Sequence, residues 1–306
     1  MRLLSFLAAA LVASSALTQS AAAKKDCSDK ADELDPDKKS SWCANMDRGD
    51  LDAGVSCLAH PDELGVTQAS FGAIVAECKR EKLDAMDSDD RVSYLRKHQV
   101  PVVVAPKADD SRMYMVDHHH LSRAVLDSSV ESSDGKYVYV CVDDKADKNL
   151  DMASFWNSVM RDRVWLKDAH GDSIDVSQLP ASVAQLANDP FRTLGWYTRE
   201  SHAWIKCGDD GTDVLPQCQH GEDPVLFMEF IWGNYLRKTL TFDQGAVYSS
   251  SLPTAVHALR DILPQAMSAA LSPQAQSLPG YNTGTDTQAP QIVALSDIGC
   301  PTEPNW

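Results

Sequence analysis

QVPVVVAPKADDSRMYMVDHHHLSRAVL, residues 99–126, changes its hydrophobic period part-way along. Val100–Ala105 is a run of β-branched and small apolar residues, and Met113–Val116 alternates Met and Tyr before a final Val. Both patterns suit short strands, here separated by a polar connection. Behind Asp117, the residues Leu121, Ala124 and Val125 recur at helical spacing. Aspartate is a strong helix N-cap, so the second strand is expected to turn directly into a helix at Asp117. His118, His119 and His120 would then fill that helix's first turn. Uncapped backbone N–H groups and the positive end of the helix dipole gather at the same place, which favours an anion.

Outward from this stretch, the pattern predicts helices before and after it. Leu64–Leu83 places Phe71, Ile74, Val75, Cys78 and Leu83 on roughly one face, with Thr67 as a candidate N-cap. Asp89–His98 presents Val92, Tyr94 and Leu95. On the other side, Lys136–Val142 alternates aromatic and β-branched residues as a strand does. Asp151–Asp162 predicts a helix carrying Phe155, Trp156, Val159 and Met160, and Val164–Ile174 a short strand with a turn at Gly171. Leu179–Leu186 predicts a short helix with Pro180 near its first turn, ended by Asp189-Pro190. Val225–Thr239 predicts a mostly buried helix despite Gly233, and Ala255–Leu271 an amphipathic segment broken by Pro264. The fold class is α+β, a small mixed sheet surrounded by helices, in one main domain over residues 55–271. A Cys-containing irregular leader (24–54) precedes it, and an extended Pro/Gln/Thr-rich tail (272–306) follows.

Residues 1–23, MRLLSFLAAALVASSALTQSAAA, have an early Arg, a short apolar run and a small-residue end, the pattern of a secretory signal peptide. No later segment has the length and apolarity of a membrane span. The 8 cysteines all follow residue 23, as expected of a secreted, disulfide-bonded chain. Cys207 and Cys218 bracket a Gly/Asp-rich loop and suit a local pair, whereas Cys141, inside YVYVCV, is either disulfide-bonded or a buried thiol. No C-x-x-C motif is present to suggest zinc or thioredoxin-like chemistry. The net charge of −16 runs opposite to that of proteins that grip nucleic acid by its phosphates. An acidic surface that keeps an exported protein soluble accounts for it.

Successive helical residues point about 100° apart, so the three histidines cannot all face one metal ion. The run fits a surface stretch without a site, a metal pair lacking a clear second ligand cluster, or an anion or nucleotide-phosphate site. Arg192 stands between the apolar anchors Phe191 and Leu194. Glu229 lies inside Phe227-Met228-Glu229-Phe230-Ile231-Trp232, where a charge is costly unless paired. Its partner is either a structural arginine or Arg192 or a histidine beside the site. Trp156, Trp165, Trp196, Trp204 and Trp232 lack interleaved basic residues and read as core.

PVVVAP, a hairpin and then MYMVDHHHLSRAV resemble the ParB/sulfiredoxin-like fold, in which a strand–helix junction handles phosphates. More closely, the chain resembles the ParB-like nuclease family, through GVTQASFGAIVAECK, SFWNSVM, LPASVAQLANDPFRTLGWYTRE and FMEFIWGNYLR as well. The likeness runs from about Leu64 to Arg237. Asp117, His119 and His120 match that family's Asp–Gly–His–His signature, Arg192 its Asp–Pro–aromatic–Arg segment, and Glu229 its Phe–x–Glu–Phe segment. His118 departs from it, standing where the family usually has a Gly that would let backbone approach a phosphate. The Arg pair of true ParB proteins and the Cys-His-Arg of sulfiredoxins are lacking, and no cysteine lies at the junction. The resemblance implies phosphodiester or nucleotide phosphoryl chemistry, with Asp117, His119 and His120 catalytic and His118, Arg192 and Glu229 binding substrate. Its partner would be a nucleotide or nucleic acid in a local cleft; no metal or cofactor is assigned. The alternative is a non-catalytic secreted module that binds a nucleotide, an anion or another protein through a decayed site.

Overall fold

The computed structural model describes residues 27–130, 136–207, 218, 226–241, 252–282 and 289–293. Its strands are β1 (Ser56–Ala59), β2 (Ser70–Phe71), β3 (Val100–Val104), β4 (Met113–Met115), β5 (Val138–Lys145) and β6 (Ala187–Asn188). The four-stranded sheet has the order β1-β5-β3-β4. β3 is parallel to β5 (Val102 opposite Val142) and antiparallel to β4 (Val102 opposite Met115), and β1 is antiparallel to β5. The sheet is therefore mixed, as expected. Unbroken valine runs suit a strand covered on both faces. Accordingly, Val100, Val102 and Val104 point into one core, while Val103 packs with Ala105, Ala146, Phe155 and Met160 on the other side. Strands β2 and β6 form a separate parallel pair.

The longer helices are α1 (Ala73–Asp84), α2 (Ser88–Lys97), α3 (His119–Asp127), α4 (Pro190–Glu200), α5 (Met228–Thr239) and α6 (Leu252–Ala270). Helix α1 divides its apolar residues between two cores. Ala76 and Leu83 join the sheet core, whereas Ile74, Val75 and Cys78 join a helical core built from α4, α5 and α6. The stacked rings of Trp204 and Trp232, 5.4 Å apart, anchor that second core. Helix α3 lays Leu121, Ala124 and Val125 on the sheet core.

Several sequence expectations need correcting. The helix expected from Leu64 starts only at Ala73, because the backbone before it is committed elsewhere. Gly65 bonds to Met113 and Met115, the Thr67 carbonyl accepts from Trp165, and Ala69 accepts from Ala187. Asp189-Pro190 opens a helix instead of ending one: the Asp189 carboxylate caps the Phe191 and Arg192 N–H groups, and Pro190 occupies the first turn. Helix α6 runs through Pro264, held by Leu259, Ile262, Leu263, Ala266 and Met267 against the helical core. The helix expected over Asp151–Asp162 is a turn, Met152–Ser154, running into π-helical Phe155–Val159. In Leu179–Leu186 only Val183–Gln185 is helical.

The expected tail starts too early. Residues 272–282 return to the helical core, where Trp204 pairs with Tyr281 and the Trp232 indole donates to the Pro279 carbonyl. The leader is pinned by disulfides Cys27–Cys141 and Cys43–Cys57, so Cys141 is not a free thiol. Cys207 pairs with Cys218 as its spacing suggests, and Cys78 is also disulfide-bonded. The proposed signal peptide and most of the residues after 282 lie outside the described residues. Among the described residues, no helix is long and apolar enough to cross a membrane.

Candidate functional site

The chain leaves β4 at Met115 and reaches α3 within three residues, so its backbone must turn sharply. His118 makes that turn in the left-handed region, with φ 63°. This corrects the expected cap. His118, not Asp117, occupies the N-cap position, and the Asp117 carboxylate instead accepts the His118 backbone N–H at 2.6 Å. No side chain caps α3. A left-handed position is one that glycine takes without a Cβ penalty, so the backbone accounts for the Gly of the family pattern here.

The three histidines do different things. The His118 Nδ1–H donates to the His98 carbonyl at the end of α2, 3.1 Å away, leaving Nε2 with its lone pair. His119 is the reverse: its Nε2 accepts the Thr67 backbone N–H at 3.3 Å. His120 Nε2 accepts the Gly72 N–H at 3.0 Å. Neither Nε2 can carry a proton while it accepts these bonds, so both rings are neutral and protonated at Nδ1. Burial has the same effect. It pulls His119 down to about 3, and His120 well below the ordinary histidine value, with nearby Arg192 adding to both shifts. In this arrangement the Nε2 atoms of both residues are taken by backbone N–H groups. They fasten the 65–72 segment to the start of α3.

Helix α4 faces them with Arg192, buried at 9% exposure. Its guanidinium lies 5.0 Å from the Phe230 ring centre, and one amine sits 3.5 Å from Glu229. Its Nε and Nη1 are buried with no hydrogen-bond partner among the described residues. Glu229, in the first turn of α5, also pairs with Arg199. Burial would raise its carboxyl, but Arg192, Arg199 and Lys206 outweigh that and hold it at about 2. Glu229 therefore pairs with both Arg199 and Arg192.

Asp117, His118, His119, His120, Arg192 and Glu229 lie in one electrostatic neighbourhood. Burial would raise the Asp117 carboxyl, yet His118, by its ring and by the backbone N–H it donates, keeps it low against the opposing charge of Glu229. Arg192 feels Glu229, Arg199 and Asp117, and its own charge depresses both buried histidines. Lys79 of α1 belongs here too. Its charge acts on His118 and His120, burial lowers its own pKa, and it makes no ion pair among the described residues. Lys79, Arg199 and the His98 carbonyl were not singled out from sequence. Arg199 lies two helical turns after Arg192, a spacing that could have revealed it. Arg199 is spent on Glu200 and Glu229, whereas Arg192 shares Glu229 and keeps two donors without a partner among the described residues, so the donors left to a ligand are those of Arg192 and Lys79. Such a site suits an anion. Among the described residues, no group of three or more His, Cys, Asp or Glu side chains is placed to hold a metal ion.

Residues 59–238 match the family described as "Putative ParB-like nuclease". The chain belongs to this family. The match includes the hairpin, the histidine junction, α4 and nearly all of α5, so every candidate site residue falls within the ParB-like domain. Protein Atu1540 from Agrobacterium tumefaciens, known from a crystal structure, is similar at 27% identity with a TM-score of 0.55. The likeness covers 74% of this chain and 97% of that one. No curated protein matches the sequence.

Proposed function

We propose that this ParB-like protein is a secreted enzyme acting on a phosphodiester or a nucleotide phosphate at the Asp117–His120 junction. The supporting observation is Arg192: a buried guanidinium with two unspent donors costs free energy unless something accepts from them. A phosphate oxygen between Arg192 and the uncapped start of α3 supplies that acceptor. Lys79 adds charge, Glu229 orients Arg192, and Asp117 steadies the junction. His119 and His120 act as neutral rings that fix the site walls and offer Nδ1–H donors. Disulfides in the leader and at Cys207–Cys218 support export.

The test is to assay mature protein on DNA, RNA and nucleoside triphosphates, with and without divalent metal, beside Arg192→Ala. Loss of the guanidinium should cost roughly a hundredfold in turnover. A folded Arg192→Ala protein with parental activity and parental phosphate affinity would sink the reading. The locked, neutral state of His119 and His120 also favours a second reading, in which the site binds a nucleotide or anion without turning it over. Calorimetric binding of phosphate or nucleotides, without hydrolysis, would select it.

A further inference from the structure

We propose that His118 is the general base of this site, taking a proton from water at Nε2 while its Nδ1–H is fixed on the His98 carbonyl. The inference rests on the phosphate-site reading above and names the group that activates the nucleophile there. Among the three histidines only His118 is arranged for it. His119 and His120 have their Nε2 atoms committed to backbone N–H groups, whereas the His118 Nδ1–H is the committed atom. A carbonyl at Nδ1 sets both the tautomer and the ring orientation, which leaves the opposite nitrogen a base. His98 is itself held, its own Nδ1 lying 2.7 Å from the Tyr94 carbonyl and its ring stacked on Tyr94 at 4.0 Å. The support for His118 thus reaches through His98 to Tyr94 of α2.

The charges around His118 come from every neighbouring element: Asp117 before it, His119 after it, His98 from α2 and Lys79 from α1. Burial and Lys79 keep the ring neutral at pH 7, and Asp117 stabilises the imidazolium once it forms. As water attacks phosphorus, its oxygen forms the new P–O bond and its proton passes to Nε2. The bond to the leaving oxygen breaks, and that oxygen departs with the electron pair. It takes a proton from solvent at the exposed mouth beside Asp117, and the imidazolium returns its own proton to solvent. Arg192 balances charge on the phosphoryl oxygens throughout. His118 also keeps a left-handed backbone that a glycine would take more readily, as expected where a side chain is retained for its chemistry.

The experiment compares the parent with His118→Gly, His118→Gln and Arg192→Ala. Hydrolysis of bis(4-nitrophenyl) phosphate and ATP is measured against pH, and inorganic phosphate binding by calorimetry. Both His118 variants should bind phosphate like the parent, lose roughly a hundredfold or more in kcat, and lose the acidic limb of the pH profile. Added imidazole should restore part of the His118→Gly rate. If His118→Gly hydrolyses as fast as the parent while Arg192→Ala does not, the phosphate site stands and His118 is not its base. If the parent binds no phosphate, both fall. Nitrogen-15 spectra of the parent give an arm that needs no turnover, since a His118 ring protonated at Nε2 overturns the proposal directly.

Discussion

His119 and His120 make acid sensitivity a property of single side chains. Each accepts a backbone N–H at Nε2, and each has its pKa lowered by burial. Below the unfolded value of about 6.5 the unfolded chain takes up protons that the folded chain refuses, so stability must fall as the pH falls. For His119 the loss continues down to about 3. Unfolding free energies from urea titrations between pH 7.5 and 5 should drop, by up to about 1.4 kcal/mol per pH unit for each histidine. His120→Gln keeps an acceptor and cannot titrate, and its curve should be flatter than the parent's; an equally steep curve would dismiss the explanation. His118 offers a separate comparison. Replacing it by Gly or by Ala removes the imidazole in both cases, but only Gly relaxes at φ 63°. His118→Gly should therefore be more stable than His118→Ala by about 1 kcal/mol in chemical denaturation. Neither property is written in the sequence. A histidine in a left-handed turn has no signature of its own, and which nitrogen accepts is decided by the Thr67 and Gly72 backbone brought from more than forty residues away.

Elements whose period is carried by their own residues could be read directly, and those whose backbone is claimed by distant partners could not. The β3–β4 hairpin and the start of α3 follow from Val100–Val104, Met113–Met115 and the spacing of Leu121, Ala124 and Val125. The segment before α1 misleads, because Leu64, Val66 and Phe71 are apolar for packing in the sheet core while the backbone of Gly65 bonds to β4 and that of Ser70–Phe71 pairs with β6. Gly233 shows the same limit from another side. In a helix it looks like a weakness, yet an added Cβ there would stand 2.8 Å from the Phe191 carbonyl oxygen, and one at Gly195 would collide with the Glu229 carbonyl oxygen. The two glycines let α4 and α5 approach closely enough for Arg192 to meet Glu229. Gly233→Ala should push the helices apart, costing about 1–3 kcal/mol in thermal or chemical unfolding. Because the pair moves with the helices, phosphate affinity should fall with it. A variant that loses stability but keeps full phosphate affinity would separate the helix contact from the site.

At the scale of the whole molecule, a chain of net charge −16 sets Arg192 and Lys79 near the junction between its two cores, among the carboxylates of Asp117, Glu200 and Glu229. Long polyanions meet repulsion from the rest of such a surface. That junction depends on the sheet staying registered against α1, and the leader contributes by tying Cys27 to Cys141 in β5 across 114 residues. Arg48 reinforces the tie by donating to the Ala105 and Ala146 carbonyls at the far ends of β3 and β5. A cross-link closing a loop of that length removes much of the unfolded chain's freedom, worth roughly 4 kcal/mol. The Cys27→Ser/Cys141→Ser double variant should therefore unfold at markedly lower urea, and with a steeper slope, because its unfolded chain is less compact. Because the Cys27–Cys141 bridge joins β5 to the leader and includes none of the candidate site residues, phosphate binding in native buffer should survive the substitution. Loss of binding from a still-folded double variant would mean that the leader shapes the site as well as holding the sheet.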